Sequence, residues 1–287
     1  MSAWVALAMR LRLRKAVGAL VPRGYDDLRA RRGRDHVLAM RDRRMATGRA
    51  ALAARAGATF SVEESARFLA ARGLDADQVR DGSVPQASLD YAGSLVASEL
   101  PRDRPLLALH IGNFVGVSLA YLSALLTDRH PGSRVVSIDP NVVHRGVEDP
   151  AGHVFALLDH FGLLAGNLVI TGYTLEQNVN EEYELDPAVS YEAERRPEHV
   201  LRSLAAWTGK PFDVVFIDGN HDGRYLEREI AQLRQLLRPS GLLILDDVDE
   251  AAWRMVAEIF DRLASDEAFE ELGRDGRLGI LRMSRPS

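Results

Sequence analysis

The feature of this sequence that most restricts its fold is an alternation of short apolar runs and helical segments between residues 106 and 263. Short apolar runs bounded by turn residues are typical of buried strands, and apolar residues that recur every three or four positions are typical of helices. Five such strand–helix units predict an α/β fold with an open, mostly parallel sheet. A further strand pair around Asp275-Gly276 predicts an antiparallel hairpin at its edge, giving seven strands.

The predicted strands occupy residues 106–111, 134–139, 167–171, 213–218 and 242–246. Helices are expected between and after them at residues 117–126, 153–161, 198–207, 225–237 and 251–263. Ser61 followed by Glu64 fits a capping box, so another helix is expected from there to about Arg72. Residues 74–88 contain Gly82 and Pro85 and are predicted to form a loop.

The first 80 residues differ in composition from the rest, and they are predicted to form a helical extension in front of a main domain over residues 81–287. Residues 1–60 hold 14 Lys and Arg against 4 Asp and Glu, a net charge of +10, whereas the whole chain carries −5. A basic helix pair packed on an acidic body would explain this asymmetry, and so would a surface for anionic lipid or nucleic acid. The segment has few aromatic residues and no nucleic-acid motif, so no nucleic-acid partner is expected. A homodimer formed through these helices is an expectation.

Composition excludes several classes of site. The chain has no Cys, which excludes disulfides and thiolate metal centres, so any metal would need oxygen or imidazole ligands. No apolar run is long enough to cross a bilayer, and no membrane span is expected. The apolar start of the chain precedes its first charges, which is the reverse of a secretory signal, and this order indicates a cytoplasmic protein.

Two of the predicted strands end in residues suited to binding a nucleotide-like ligand. Gly112 and Gly116 follow the first strand, where a glycine turn lets a ligand approach the backbone and the next helix offers free N–H groups to an anion. Asp139 ends the second strand, where an acid can accept hydrogen bonds from ribose hydroxyls. The alternatives are a tight turn without a ligand and an acid that caps a helix.

Carboxylates also follow the fourth and fifth predicted strands. Asp218 ends the fourth, and Asp246 and Asp247 end the fifth. Three converging carboxylates repel one another, and a divalent ion with oxygen ligands would relieve that repulsion, with magnesium favoured. In the alternative interpretation, one Asp caps a helix and another faces water. His221 is a candidate general base, since a histidine can accept a hydroxyl proton near neutral pH, although a structural role is equally open.

The runs at residues 212–221 and 236–247 resemble the fourth- and fifth-strand motifs of class I S-adenosylmethionine-dependent methyltransferases, which have a Rossmann-like sheet. The pattern is most similar to the metal-dependent O-methyltransferases of the catechol and macrocin types. The resemblance covers roughly residues 82–287. It implies S-adenosyl-L-methionine as cofactor, a divalent metal, and a small-molecule hydroxyl of a sugar or phenolic natural product as acceptor.

The resemblance also implies roles for individual positions. Asp218, Asp246 and Asp247 correspond to metal ligands, and the loop over residues 82–88 corresponds to a lid over the cofactor. The positions that correspond to cofactor-binding residues are Gly112, Asn113, Phe114, Gly116, Ser118, Asp139, Gly172, Tyr173, Thr174 and Asp218. In this interpretation the metal lowers the pKa of the acceptor hydroxyl and His221 takes its proton.

Three positions depart from the family pattern. His110 stands where the family usually has an acid, Asn220 stands where some sugar methyltransferases have a carboxylate, and residues 175–196 form a long acidic insertion. Two alternatives remain open: a metal-independent N- or O-methyltransferase, and a catalytically degenerate binding protein of the same fold. A nicotinamide-dependent dehydrogenase is disfavoured, because the glycine turn lacks Gly-x-Gly-x-x-Gly.

Overall fold

A computed structural model describes residues 60–175, 200–249 and 253–284 of the chain. Its strands are β1 (Leu107–Ile111), β2 (Arg134–Asp139), β3 (Asn167–Thr171), β4 (Phe212–Ile217), β5 (Leu237–Leu245), β6 (Phe269–Arg274) and β7 (Gly279–Met283). Its helices are α1 (Val62–Ala70), α2 (Ala76–Asp81), α3 (Gln86–Glu99), α4 (Val117–Arg129), α5 (Pro150–His160), α6 (Leu201–Thr208), α7 (Gly223–Leu233) and α8 (Arg254–Ala264), with a short 3-10 helix at Leu164–Gly166.

The seven strands form one sheet in the order β3-β2-β1-β4-β5-β7-β6. The first five strands run parallel, whereas β7 pairs antiparallel with both β5 and β6. The predicted α/β fold, with its parallel sheet and antiparallel hairpin edge, is therefore confirmed. Because the chain winds outward from β1 in one direction and from β4 in the other, the two strands flank a crevice at their carboxyl ends, which is the usual ligand site of such sheets.

Alternating side chains along the strands fill two apolar cores, one on each face of the sheet. On one face, Ala108 and Val214 pack with residues of α1 to α5. On the other face, Leu109 and Val215 pack with residues of α6, α7 and α8. Both faces are covered, which explains why the strand sequences read as continuous apolar runs instead of alternating patterns.

The predicted helix after Ser61 is present, and its N-terminus is capped by the Ser61 hydroxyl, which accepts a hydrogen bond from Glu64 N at 3.3 Å. The loop predicted over residues 74–88 is wrong in part. Asp75 caps the six-residue helix α2 by accepting from two backbone N–H groups, and α3 already begins at Gln86. The turn residues around Gly82 therefore separate two helices, and the loop between them is shorter than predicted.

Several predictions fall outside the described residues. They concern residues 1–59, which hold most of the predicted helical extension, and the segment 176–199, which holds nearly all of the acidic insertion. Val62, Leu69 and Val79 from the last part of that extension pack in the same core as the sheet. The boundary at residue 80 and a dimer through the N-terminal helices stay predictions. Within the described ranges, no helix has the length and apolar character needed to cross a membrane.

Candidate active site at the carboxyl edge of the sheet

The turn after β1 brings two strand ends into close backbone contact. Gly112 has a φ of +83°, and a Cβ there would lie 1.8 Å from the carbonyl oxygen of Asp218. Its N–H donates to Ile138 O at 3.0 Å, and Asp218 N donates to Ile111 O at 2.8 Å. The turn therefore requires glycine and holds the ends of β1, β2 and β4 at one edge of the sheet.

The same turn leads into the N-terminus of α4. Gly116, with a φ of +93°, is the N-cap, and no side chain of the described residues caps this helix by a hydrogen bond. The first N–H groups of an uncapped helix and its dipole suit a carboxylate ligand. These donors could hold the carboxylate of a bound cofactor, and the cofactor-binding roles of Gly112 and Gly116 stay predictions.

Asp139 ties the turn after β1 to the loop after β2. Its Oδ2 accepts from Asn113 N at 2.6 Å, and its Oδ1 accepts from Asn141 N at 2.5 Å. Asn141 Nδ2 in turn donates to Thr171 Oγ1 at the end of β3, at 2.7 Å. Burial raises the pKa of Asp139, and the backbone donors partly offset that effect. A carboxylate has about four acceptor positions, so this one retains acceptor capacity for a ribose hydroxyl.

Phe114 lies beside the loop predicted to act as a lid. It adopts a left-handed φ of 47°, and a Cβ on Gly82 would lie 2.5 Å from its Cε1 atom. Its ring meets that of His144 edge-on, with the ring centroids 5.8 Å apart. Val84, in the middle of the predicted lid, is fully buried in the core. The structure thus packs this segment closely against Phe114 and the core.

His110 and Ser118 connect the glycine turn to Asp218. His110 is fully buried, stacks on Phe216 and has its Nε2 atom 3.0 Å from Ser118 Oγ. Ser118 Oγ donates to Asp218 Oδ2 at 3.4 Å. Burial lowers the pKa of His110 to about 3, so the imidazole is neutral at physiological pH. The departure at position 110 consequently removes an acid without placing a positive charge beside the cofactor's amino group.

Three of the predicted cofactor-binding residues, Gly172, Tyr173 and Thr174, have different surroundings. Gly172 N donates to Asp139 O at 3.0 Å, which places the end of β3 beside the predicted ribose acid. The carbonyl of Tyr173 accepts from Val200 N at 2.9 Å. Thr174 is buried, and its hydroxyl bonds to Tyr225 and Glu229 on α7. Gly172 and Tyr173 therefore remain candidates for the site, whereas the hydroxyl of Thr174 anchors the loop to a helix.

The carboxylates after β4 and β5 converge as predicted from the parallel strands. Asp218, His221 and Asp246 each offer a ligand atom, and these atoms lie within 4.8 Å of one another. Burial and the neighbouring Asp246 carboxylate raise the pKa of Asp218 well above its ordinary value. Asp247, the third predicted metal ligand, has a left-handed φ of 60° and contacts His221.

An arginine that the sequence interpretation missed lies among these acids. Arg277 Nε and its terminal nitrogen donate to the two oxygens of Asp246 at 2.7 and 2.8 Å. The same Nε lies 3.0 Å from Asp247 Oδ1. The sequence did place Arg277 directly after the predicted Asp275-Gly276 turn of the edge hairpin, and this position was the one signal of its location. The reason it was missed is that only the pairing of the hairpin with β5 brings it to the site.

His221 lies at the opening of the cluster. Its Nε2 is 3.2 Å from Asp247 Oδ2, and its ring stacks on Trp253 with 4.6 Å between ring centroids. Burial lowers the pKa of His221 to about 4, so the imidazole is neutral at physiological pH. A carboxylate that accepts from Nε2–H leaves the other ring nitrogen available to accept a proton.

Comparison with known proteins agrees with the fold described above. Residues 109–248 match the family model described as "Methyltransferase domain". No curated protein matches the sequence. An O-methyltransferase from Bacillus cereus, crystallised with SAH, is 17% identical with a TM-score of 0.53, over 84% of this chain and 97% of that chain. The O-methyltransferase TomG from Streptomyces achromogenes, involved in tomaymycin synthesis and crystallised with SAM, is 17% identical with a TM-score of 0.51. The match covers 85% of this chain and 99% of that chain.

The matched segment runs from β1 to the residues directly after β5, and it includes Gly112, Asp139, His221 and both acids that follow β5. The likeness to the solved structures, at 17% identity, shows a shared fold. The family match over residues 109–248 and the shared fold support an S-adenosylmethionine-dependent methyltransferase of class I fold.

Proposed function

We propose that this methyltransferase acts on the hydroxyl group of a small molecule, and that His221 accepts the hydroxyl proton. The observation that carries the proposal is a half-buried, neutral imidazole that contacts Asp247 at the strand ends of the candidate cofactor site. A neutral alcohol or phenol is a poor nucleophile, so a positioned base is what O-methylation requires. The names of two fold relatives, both O-methyltransferases, support the same acceptor atom.

In this proposal the protein contributes mainly binding and orientation. S-adenosylmethionine, when bound, supplies an electrophilic methyl group on a sulfonium sulfur. The N-terminus of α4 would hold its carboxylate, and Asp139 its ribose hydroxyls. Asp247 keeps the His221 ring in one orientation, and Trp253 restricts the ring from its face. Aligning acceptor oxygen, methyl carbon and sulfur is a large part of catalysis in a transfer of this kind.

The divalent metal expected at Asp218, Asp246 and Asp247 is not part of the proposed mechanism. Asp246 gives both of its oxygens to Arg277, and Asp247 contacts His221 and Arg277. The donor set therefore does not fit a resident ion as it stands, and no catalytic step depends on one here.

The test is His221→Gln, which keeps a polar side chain but removes the base. We expect kcat for methyl transfer to a panel of phenols, catechols and sugars to fall by about 10²-fold or more, with unchanged affinity for S-adenosylmethionine by calorimetry. His160→Gln is the matched control, since His160 lies on α5 beside Glu64 and away from this edge. Equal kcat in wild type and His221→Gln would remove the base assignment, and absence of cofactor binding in wild type would contradict the proposed function as a whole.

A further inference from the structure

The acids at the carboxyl edge already have a cation built into the chain. The guanidinium of Arg277 binds Asp246 through two parallel hydrogen bonds and contacts Asp247 with the same Nε atom. Asp246 and Asp247 are both buried, at 1% and 4% exposure, so their charges need a partner of opposite sign. A guanidinium stays protonated at any physiological pH, and its planar fork matches a carboxylate.

The backbone fixes Arg277 in this place. Its carbonyl accepts from Val248 N at 3.0 Å, directly after the two acids. Its own N–H donates to Asp275 Oδ1 at 3.1 Å, and Leu278, the next residue, is fully buried. The arginine therefore belongs to a hairpin turn that is hydrogen-bonded to the acidic loop, and leaving the site would require that turn to move.

A divalent ion at the same acids would meet this arginine. An ion bound at about 2.1 Å to an oxygen of Asp246 would lie no more than about 5 Å from a guanidinium nitrogen. Two cations at that separation repel, and the ion would also compete for lone pairs that already accept hydrogen bonds from Arg277. Asp218 and His221 alone would leave the ion with two protein ligands.

We propose that Arg277 takes the place of a divalent cation, neutralising Asp246 and Asp247 and excluding Mg²⁺ and Mn²⁺ from the Asp218–His221–Asp246 cluster. Methyl transfer then needs no metal. This second statement rests on the proposed function, whereas the exclusion of the ions is a binding property that can be tested without turnover.

The binding test is calorimetric titration of the full chain with Mn²⁺ and with Mg²⁺. We expect no specific binding by wild type, and Arg277→Ala should bind Mn²⁺ at one site, at least about tenfold more tightly than wild type, a difference of ~1.4 kcal/mol. Arg282→Ala is the matched control, because Arg282 on β7 also pairs with two acids, Glu99 at the end of α3 and Glu270 on β6. It should behave as wild type does.

Two outcomes overturn the exclusion: Mn²⁺ bound by wild type as tightly as by Arg277→Ala, or a folded Arg277→Ala that binds none. If Arg277→Ala does not fold, Arg277→Lys, which keeps the charge, should still exclude the ion, and the wild-type titration decides on its own. In turnover, wild-type activity should be unchanged by EDTA, and loss of activity in EDTA contradicts a metal-free reaction. Calorimetry with S-adenosylmethionine on the same sample separates that result from a failure of the proposed function.

Discussion

Glu229 shows at the scale of one residue how this fold holds an ionisable group. Its carboxyl is fully buried on α7, where one oxygen bonds to the Thr174 hydroxyl. The Thr174 hydroxyl is itself 2.7 Å from Tyr225 OH. Burial raises the pKa of Glu229 to about 7. The folded protein therefore binds this proton more tightly than the unfolded chain, and the protonated form is the one that the structure favours.

We expect this shift to make stability depend on pH. Because the folded pKa of about 7 exceeds the ordinary value of 4.5, the free energy of unfolding should fall as pH rises from about 4.5 to 7. Glu229→Gln should remove this dependence and be more stable than wild type at pH 8, by about 3 kcal/mol at most. Denaturant titrations at pH 5 and pH 8 measure the difference.

The control is Glu227→Gln on the same helix, whose side chain is 47% exposed and pairs with Arg262. It should retain the wild-type pH dependence. The same slope for Glu229→Gln and wild type between pH 5 and 8 would show that Glu229 is already ionised at pH 5.

Gly112 gives a second prediction at this scale. Gly112→Ala would place a Cβ against the backbone of Asp218 and should lower the free energy of unfolding by about 3 kcal/mol or more, with loss of S-adenosylmethionine binding. Gly73→Ala is the control, because Gly73 also has a positive φ, of 98°, but a methyl group added there would have no atom within 4 Å. It should cost about 1 kcal/mol. Similar losses in both variants would mean that backbone conformation, not the close approach, requires glycine at position 112.

The individual residues differ in how far the sequence could reveal them. Gly112, Asp139 and His221 each follow a strand, so their meeting at one edge is predictable from parallel pairing alone. Arg277 lies 31 positions after Asp246, and its contact depends on the register that pairs Gly279 with Leu245. The pattern of apolar and polar residues near Arg277 does not indicate that register. The hydroxyl of Thr174 bonds to α7 for a similar reason, since helix packing and not strand order decides its partner.

At the scale of secondary-structure elements, both ends of the strands carry buried acids that pair with arginines. At the carboxyl ends lie the acids of the candidate site. At the amino ends, the buried Asp213 of β4 accepts two hydrogen bonds from Arg104, at 2.7 and 3.1 Å, and one from Leu107 N at 2.9 Å. Arg238 Nε of β5 lies 2.8 Å from the same carboxylate. Asp213 therefore joins three neighbouring segments far from the cofactor site.

Asp213→Asn should separate stability from function. We expect the free energy of unfolding to fall by about 3 kcal/mol, because the buried carboxylate is lost between two arginines, while S-adenosylmethionine affinity stays within twofold, or about 0.4 kcal/mol, of wild type. Asp128→Asn is the control, as the Asp128 side chain is 79% exposed and should change stability by less than about 0.5 kcal/mol. Chemical denaturation and calorimetry report the two quantities. A large loss of cofactor affinity would mean that the amino edge also shapes the site.

The elements themselves were largely predictable, and the errors have identifiable causes. Strand β2 has the predicted bounds, because its apolar run is flanked by turn residues on both sides. Strand β5 begins at Leu237, five residues before its predicted start, because Phe212 pairs with Leu237 ahead of an irregularity in the strand pairing. Pro239 and Gly241 are typical of turns, so the residue pattern does not indicate that the strand begins before them. Helix α2 was missed because nearby turn residues outweighed its Asp75 cap.

At the scale of the whole molecule, the candidate binding site lies at the carboxyl ends of the parallel strands, and the ion pairs of Asp213 lie at their amino ends. Successive strands are added in one direction from β1 and in the other direction from β4. The turns that follow these two strands are in contact through Gly112 and Asp218. The alternation of strands and helices predicted this topology, and the resemblance to a family implied the cofactor. Acceptor specificity was not predictable, since it depends on side chains around the opening that no repeated pattern specifies.

This division predicts where a bound cofactor protects the backbone. S-adenosylmethionine should slow amide hydrogen exchange at residues 112–118 and 139–141, while the amino-edge turn at residues 130–133 should exchange at an unchanged rate. Exchange followed by mass spectrometry, with and without the cofactor, gives the comparison. Sinefungin, a cofactor analogue without a transferable methyl group, should give the same pattern without turnover. Protection confined to the amino edge would place the ligand on the wrong end of the sheet.

Arg277 lies late in the sequence, so it is synthesised after the acids that it neutralises. Among the described strands β7 is synthesised last, although it lies between β5 and β6 in the sheet. Until it leaves the ribosome, β5 has an unpaired edge, and the neighbouring acids lack their guanidinium. Mutual repulsion of those negative charges would oppose edge-to-edge pairing between nascent chains. The acids that Arg277 neutralises in the folded protein can thus act earlier as protection against aggregation.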